Sequence, residues 1–358
     1  MKLIIEPAAN PAPAGRRAEL LANPGFGTSF TDHMVTIKYR EGTGWHDARL
    51  HARGPISLDP ATAVLHYAQE IFEGMKAYKL ADGAMALFRP EANAARFNRS
   101  ARRMAMPELP EALFLESVSA LVDIDRHWFP DVDGGSIYLR PFMFASEVFL
   151  GVRPAKEYLF MVIASSAGDY FKGAASAINI WVSDHYSRAA PGGTGAAKCG
   201  GNYAASLIAQ SEATMHGCDQ VVFLDAAEHK WVEELGGMNL FFLFSDGRLI
   251  TPPTSGTILE GITRDSIITL ARERGLTVAE VPYSIDQWRD DAASGYLTEC
   301  FACGTAAVVM PVGKVSSKDG VFTIGAGGPG QITGALRDQL VHIQRGLAPD
   351  PHGWVRRI

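Results

Sequence analysis

Short aliphatic and aromatic runs alternate with amphipathic stretches in both halves of this chain, and the alternation breaks once, at the small-residue segment 167–177, "AGDYFKGAASA". The runs "MVTIKYR" (34–40), "GAMALFR" (83–89), "SIYLRPFMF" (136–144) and "EYLFMVIAS" (157–165) have the composition of strands. Between them "PEANAARFNRSARRM" (90–104) opens on the proline that favours a helix start, and 111–128 reads as an amphipathic helix stopping before Pro130. Beyond 177, "AINIWVS" and "QVVFLD" predict strands around a glycine loop and a helix over 203–216. "WVEELGGMNLFFLFSDGRLITPP" predicts a hairpin turning at Asp246-Gly247, and helices follow near 262–274 and 331–344. At 358 residues the chain exceeds what one hydrophobic core usually supports. The pattern predicts an α/β (α+β) fold in two domains, 1–166 and 178–358, joined by a linker over 167–177.

Composition narrows the function. The formal net charge is −6 and the basic residues are scattered, so nucleic acid is not an expected partner. Only three consecutive apolar residues follow Lys2, and no run approaches the roughly 20 that span a bilayer, so neither export nor a membrane is expected. Four cysteines are too few for a disulfide scaffold, which points to the cytoplasm. Cys300 and Cys303 form a lone C-x-x-C with no second ligand pair, and no metal site is expected.

The most informative stretch is "PGGTGAAKCGGNYAAS" (191–206), in which Gly192, Gly193, Gly195, Gly200 and Gly201 surround Lys198. A phosphate-binding loop is one reading, but neither a Gly-Lys-Ser/Thr sequence nor a dinucleotide fingerprint is present. Covalent chemistry is another: a neutral lysine amine attacks carbonyls, and neighbours without bulk admit a planar ligand. A solvated loop lysine is a third, and the loop by itself leaves the choice open.

Pyridoxal phosphate would further demand anion donors, a carboxylate for its ring nitrogen and a donor near its phenolic oxygen. Glu234 lies in an otherwise apolar run, where a carboxylate is costly unless paired. Arg96, Arg99 and Arg103 share one helix face. In "IYLRP" the strand period sets Tyr138 and Arg140 on one face, suited to a carboxylate or to an ordinary surface pair. "TSGTILEGITR" (254–264) and "CGTAAV" (303–308) are turns that could offer N–H groups to phosphate.

Taken together, "FGTSFTDHMVTI", "LHYAQEIFEGMKAY", "LFRPEANAARF", "YLRPFMF", "GTGAAKCGGNYAAS", "EELGGMNLFF", "TPPTSGTILEGITR" and "CGTAAVVMPV" resemble the branched-chain amino acid aminotransferases of the fold-type IV pyridoxal-phosphate class, over nearly the whole chain. The resemblance implies a D-amino acid aminotransferase-like fold of mixed sheets with flanking helices and the active site between the domains. It implies pyridoxal 5'-phosphate bound covalently by Lys198 in the larger C-terminal domain, with Glu234 at the ring nitrogen, Tyr203 at the phenolic oxygen, and Arg96, Thr257, Ile258 and Thr305 at the phosphate. Tyr138 and Arg140 match the pair that reads substrate carboxylate. Phe26, Phe72 and Ala306 match pocket residues, and Tyr67 matches a tyrosine lent by the other subunit of a homodimer. The implied reaction exchanges amino groups between leucine, isoleucine or valine and 2-oxoglutarate, giving 2-oxo acids and glutamate.

Two departures stand out. Gly237 occupies a position where many members carry threonine, and Ala307 and Met310 stand where animal members have a C-x-x-C, so no redox switch carries over. A D-amino acid aminotransferase or an aminodeoxychorismate lyase would use the same lysine and carboxylate, and a non-catalytic two-domain binding protein is the alternative from another class. Chain length and the "FEGMKAY" and "YLRP" blocks favour the branched-chain type.

Overall fold

The computed structural model describes residues 1–168 and 177–358, so most of the expected linker lies outside the described residues. Ala167 is the last residue of a strand. The chain forms two compact units, Met1–Tyr170 with Ala197–Gly200 and Ile343–Ile358, and Phe171–Ala196 with Gly201–His342. Two segments thus group away from their chain neighbours. The C-terminal strand Val355–Arg357 pairs with Met85–Phe88, which draws the end of the chain into the first unit. Lys198, expected with the C-terminal domain, groups with the first unit because its backbone is hydrogen-bonded there, as described below.

The first unit is built on a nine-stranded sheet. Its spatial order is Ile4–Ile5, Gly44–Ala52, Ser29–Arg40, Glu157–Ala167, Ser136–Ala145, Met75–Lys79, Met85–Phe88 and Val355–Arg357, with Glu70–Phe72 also paired to Ser136–Ala145. Apart from the first pair all are antiparallel. Helices Pro90–Arg103 and Glu111–Ile124 pack against each other and share one core with the sheet. Phe97 is its hub: wholly buried, its ring lies 5.5 Å from both Phe114 and Phe160. The expected helix over 111–128 divides into Glu111–Ile124 and a 3-10 turn, Arg126–Trp128.

In the second unit the strands Val232–Leu235, Gln220–Leu224, Ile178–Ser183, Val308–Ser317, Leu297–Gly304 and Asn239–Phe244 follow one another in space, and the pair Glu234–Asn239 closes them into a ring. Arg248–Thr251, Thr277–Glu280 and Gly320–Thr323 extend it. Every residue of Asn239–Phe244 is buried, which is why 240–244 is a continuous apolar run without alternation. Helix Ile285–Ser294 starts at a Ser284–Gln287 capping box and seats Trp288 against Phe242, 4.8 Å between ring centres. The helix expected over 203–216 begins at Gly200. Cys300 and Cys303 lie buried and unbridged in the Leu297–Gly304 strand, where burial pushes the Cys303 thiol up to about 12.

Phe97→Ala should cost about 3–5 kcal/mol through loss of buried area and the cavity left behind. Denaturant unfolding followed by near-UV dichroism measures this, and a loss below about 1 kcal/mol would mean the helix pair is not anchored at Phe97.

Candidate functional site

Lys198 lies half-buried just before the helix Gly200–Met215. Its backbone is held at both ends: its N–H donates to Ser100 Oγ (2.9 Å) and its carbonyl accepts from Phe72 N–H (2.9 Å). Two residues on, Gly200 N–H donates to the Glu70 carboxylate. The Lys198 Nζ sits 4.8 Å from the centre of the Phe72 ring. The same ring carries the Arg140 guanidinium at 4.7 Å, and Arg140 Nη2 donates to Tyr138 Oη at 3.2 Å. Tyr138 and Arg140 therefore share a strand face, and Phe26 packs edge-on against Tyr138, 4.9 Å between centres. A Cβ on Gly74 would collide with the Tyr138 phenol, so only glycine lets that ring reach its place.

The arginine stripe separates into one buried member, Arg96, and two exposed ones, Arg99 and Arg103. Arg96 makes a two-pronged ion pair with Glu73 (Nε to Oε1, 2.7 Å; Nη2 to Oε2, 2.8 Å), and Asn93 Nδ2 donates to the same carboxylate at 2.7 Å. Glu73 is wholly buried. Burial pushes its carboxyl up, but the Arg96 guanidinium, the charge of Lys198 and the Asn93 amide outweigh burial and hold it below the usual carboxylate range. Glu70 runs the other way: burial raises it, offset in part by Gly200 N–H and Arg140.

In the second unit the Glu234 carboxylate is buried at the ring-closing pair. It accepts from Arg188 Nη2, from Asn239 Nδ2 (3.0 Å) and from the backbone N–H of Leu259 (3.0 Å). Arg188 Nη2 also donates to the carbonyls of Gly195 (3.0 Å) and Thr257 (3.3 Å), tying the glycine loop to the turn that contains buried Thr257 and Ile258. A Cβ on Gly195 would strike the Thr257 carbonyl, so this glycine is required by close packing of loop on turn. Tyr203 is half-buried in the first turn of its helix. A Cβ on Gly237 would stand 3.5 Å from Tyr203 Cε1, so the missing side chain leaves ordinary contact space beside that ring. Thr305 and Ala306 are half-buried in the turn between Leu297–Gly304 and Val308–Ser317.

Lys198, Phe26, Phe72, Tyr138 and Arg140 thus form one cluster, with Arg96 joined through Glu73, and Glu234, Thr257 and Ile258 form another through Arg188. Tyr67 joins neither; it is exposed at the end of the short helix Val64–Tyr67. The sequence reasoning missed Glu73 and Arg188. Glu73 had the signal that singled out Glu234, a carboxylate in an apolar run, whereas Arg188 in "HYSRAAPGG" had none. The donor set fits pyridoxal phosphate: a loop lysine amine, a buried carboxylate, guanidinium groups and a turn rich in N–H and hydroxyl groups. Among the described residues there is no cluster of histidine, cysteine or carboxylates able to hold a metal ion, and no helix is long and apolar enough to cross a membrane.

A family model described as amino-transferase class IV matches residues 70–315. The chain is 58% identical over 355 residues to a probable branched-chain-amino-acid aminotransferase of Streptomyces coelicolor, covering 99% of this chain and 98% of that one. Among solved structures it resembles the branched-chain amino acid aminotransferase of Escherichia coli (TM-score 0.73, 30% identity, 89% of this chain and 98% of that chain). It also resembles the branched-chain amino acid aminotransferase of Thermobaculum terrenum in its PLP-bound holo form (TM-score 0.72, 26% identity, 90% of this chain and 97% of that chain).

Because Glu73 is held below its ordinary range, it contributes stability at neutral pH that is lost as the pH falls through its lowered value. Glu73→Gln should cost about 3–5 kcal/mol near neutrality, since it leaves Arg96 buried without its counter-charge. The gap from wild type should narrow on acidification below the usual carboxylate range. Denaturant titrations across that span measure it, and a gap independent of pH would overturn the assignment.

Proposed function

The chain belongs to the class IV aminotransferases and, within them, to the branched-chain amino acid aminotransferases; on that premise we propose that Lys198 is the residue through which it holds its cofactor and moves the transferred proton. The enzyme passes the amino group of L-leucine, L-isoleucine or L-valine reversibly to 2-oxoglutarate, with pyridoxal 5'-phosphate as cofactor. The observation that carries the lysine assignment is the double backbone anchor, which fixes the Cα of a long side chain whose amine lies over Phe72.

When bound, the cofactor supplies an aldehyde that takes up the amino group and a ring that draws off electrons from the substrate Cα. Lys198 Nζ would hold the cofactor and, once released, take up and return the substrate Cα proton. Glu234, whose carboxylate accepts from Arg188, Asn239 and the Leu259 N–H, would face the ring nitrogen as its partner. Arg96, with its fork oriented by Glu73, would hold the phosphate from the first unit; in the second unit Thr257, Ile258 and Thr305 would serve the phosphate and Tyr203 the phenolic oxygen.

Substrate recognition must serve an aliphatic side chain and that of glutamate in turn. Phe26 and Phe72 would supply apolar contacts from the first unit and Ala306 from the second, and Arg140 with Tyr138 would meet the glutamate carboxylate. Tyr67 serves the site of a second copy in a homodimer. This is supported by the apolar surface around it: Thr62 bridges to Val148, and Leu65, Val148, Leu150 and Val152 are all exposed, Val152 at 93%. Four unbridged, buried cysteines suit the cytoplasm.

Arg140→Ala should lower kcat/KM for glutamate at least about tenfold more than for leucine, as loss of a charge-assisted contact predicts. Equal losses would overturn the dual-recognition reading. Borohydride reduction of the coloured holoenzyme should fix the label at Lys198, and Lys198→Ala should abolish both labelling and transamination; a label elsewhere would remove Lys198 from its role.

A further inference from the structure

Behind the strand that carries Glu234, the second unit holds a cavity of about 270 Å³ to which the reaction assigns no ligand. Its walls include Trp231, Pro252, Pro253 and Pro282, with Asp225 and Glu233 as the only charged side chains among the described residues that line it. The turn residues Thr257 and Ile258 close one side. Adjacent strand residues face opposite ways, so Glu233 looks into this cavity while Glu234 looks toward the other face. The prolines fix the backbone of the walls in advance, so a ligand would not have to order them.

Glu233 is the feature that asks for a ligand. Its side chain belongs to a residue only 6% exposed, and among the described residues its Oε2 has no hydrogen-bond partner. A carboxylate oxygen so placed carries a desolvation cost that a donor would relieve. Burial pushes the carboxyl up, and the Thr257 hydroxyl and Arg188 offset this only in part. Arg188 Nη2 is committed to Glu234, Gly195 and Thr257. Asp225 is acidic and already accepts four backbone N–H groups, those of Ala227, Glu228, Lys230 and Trp231. The Lys230 ammonium rests 4.8 Å from the Trp231 ring centre, so the indole serves as an apolar wall and the carboxylate as the partner.

We propose that this cavity binds a small protonated organic amine, whose N–H donates to Glu233 Oε2 and whose short apolar body packs against Trp231 and the prolines. Two carboxyl groups, no lysine or arginine among the described lining residues, and an apolar wall select a cation with a hydrocarbon part over an anion or a bare metal ion.

The test is calorimetric titration of the holoenzyme with N,N-dimethylbutylammonium, a tertiary amine that donates one N–H but cannot condense with the cofactor's aldehyde. Saturable binding at one site per chain is expected, weakened at least about tenfold in Glu233→Gln. Ala227→Trp, at an exposed position on the rim, should abolish binding without disturbing the core. No binding to the wild type, or equal binding in the wild type and either variant, overturns the proposal. Since the readout is heat of binding, its failure would leave the transamination reading untouched.

Discussion

The backbone anchor of Lys198 is the constraint on which the rest of the site depends. A lysine amine sits at the end of four rotatable bonds, and it can be aimed no better than its Cα is placed. Ser100 Oγ and Phe72 N–H hold the two sides of that residue. Ser100 shares a helix with Arg96, and Phe72 precedes Glu73 in the chain, so the same two elements place Lys198 and build the Arg96–Glu73 pair. Aromatic packing at Phe97 in turn holds the helix. A hydrophobic core thereby fixes a polar constellation without any of its own atoms entering the chemistry.

Both units solve the burial of a carboxylate in the same way. Glu73 has Arg96 and Asn93; Glu234 has Arg188, Asn239 and a backbone N–H. Such pairs are weak sources of net stability, because desolvating both ions offsets most of their attraction. What they provide is orientation: each carboxylate is held in one hydrogen-bonded geometry, ready before any ligand arrives. Glu233 is the contrast, a buried carboxylate one residue away whose second oxygen has no partner among the described residues.

Much of the fold was legible because local pattern and tertiary environment agreed. The strands at 136–144 and 157–165 and the helices at 262–274 and 331–344 appear within a few residues of their expected places. The strand period also placed Tyr138 and Arg140 side by side, as their hydrogen bond bears out. Less visible were the strands of 297–304 and 308–317, where small residues and cysteines mask a largely buried pair. The start of the helix at Gly200 was hidden too, since two glycines argue locally against a helix that Glu70 helps to secure at its first N–H.

By itself the sequence determined the alternation of strands and helices, the family, and the reaction that goes with it, because these are carried by residue types at fixed spacings. Only the tertiary structure decided which arginine of the stripe is buried, that Glu73 and Arg188 belong with the charged groups, and that Lys198 groups with the first unit. The reason is physical: a local pattern reports the face of one element, whereas a buried ion pair or a backbone anchor joins residues from distant parts of the chain, and what decides it is which groups lose their water together.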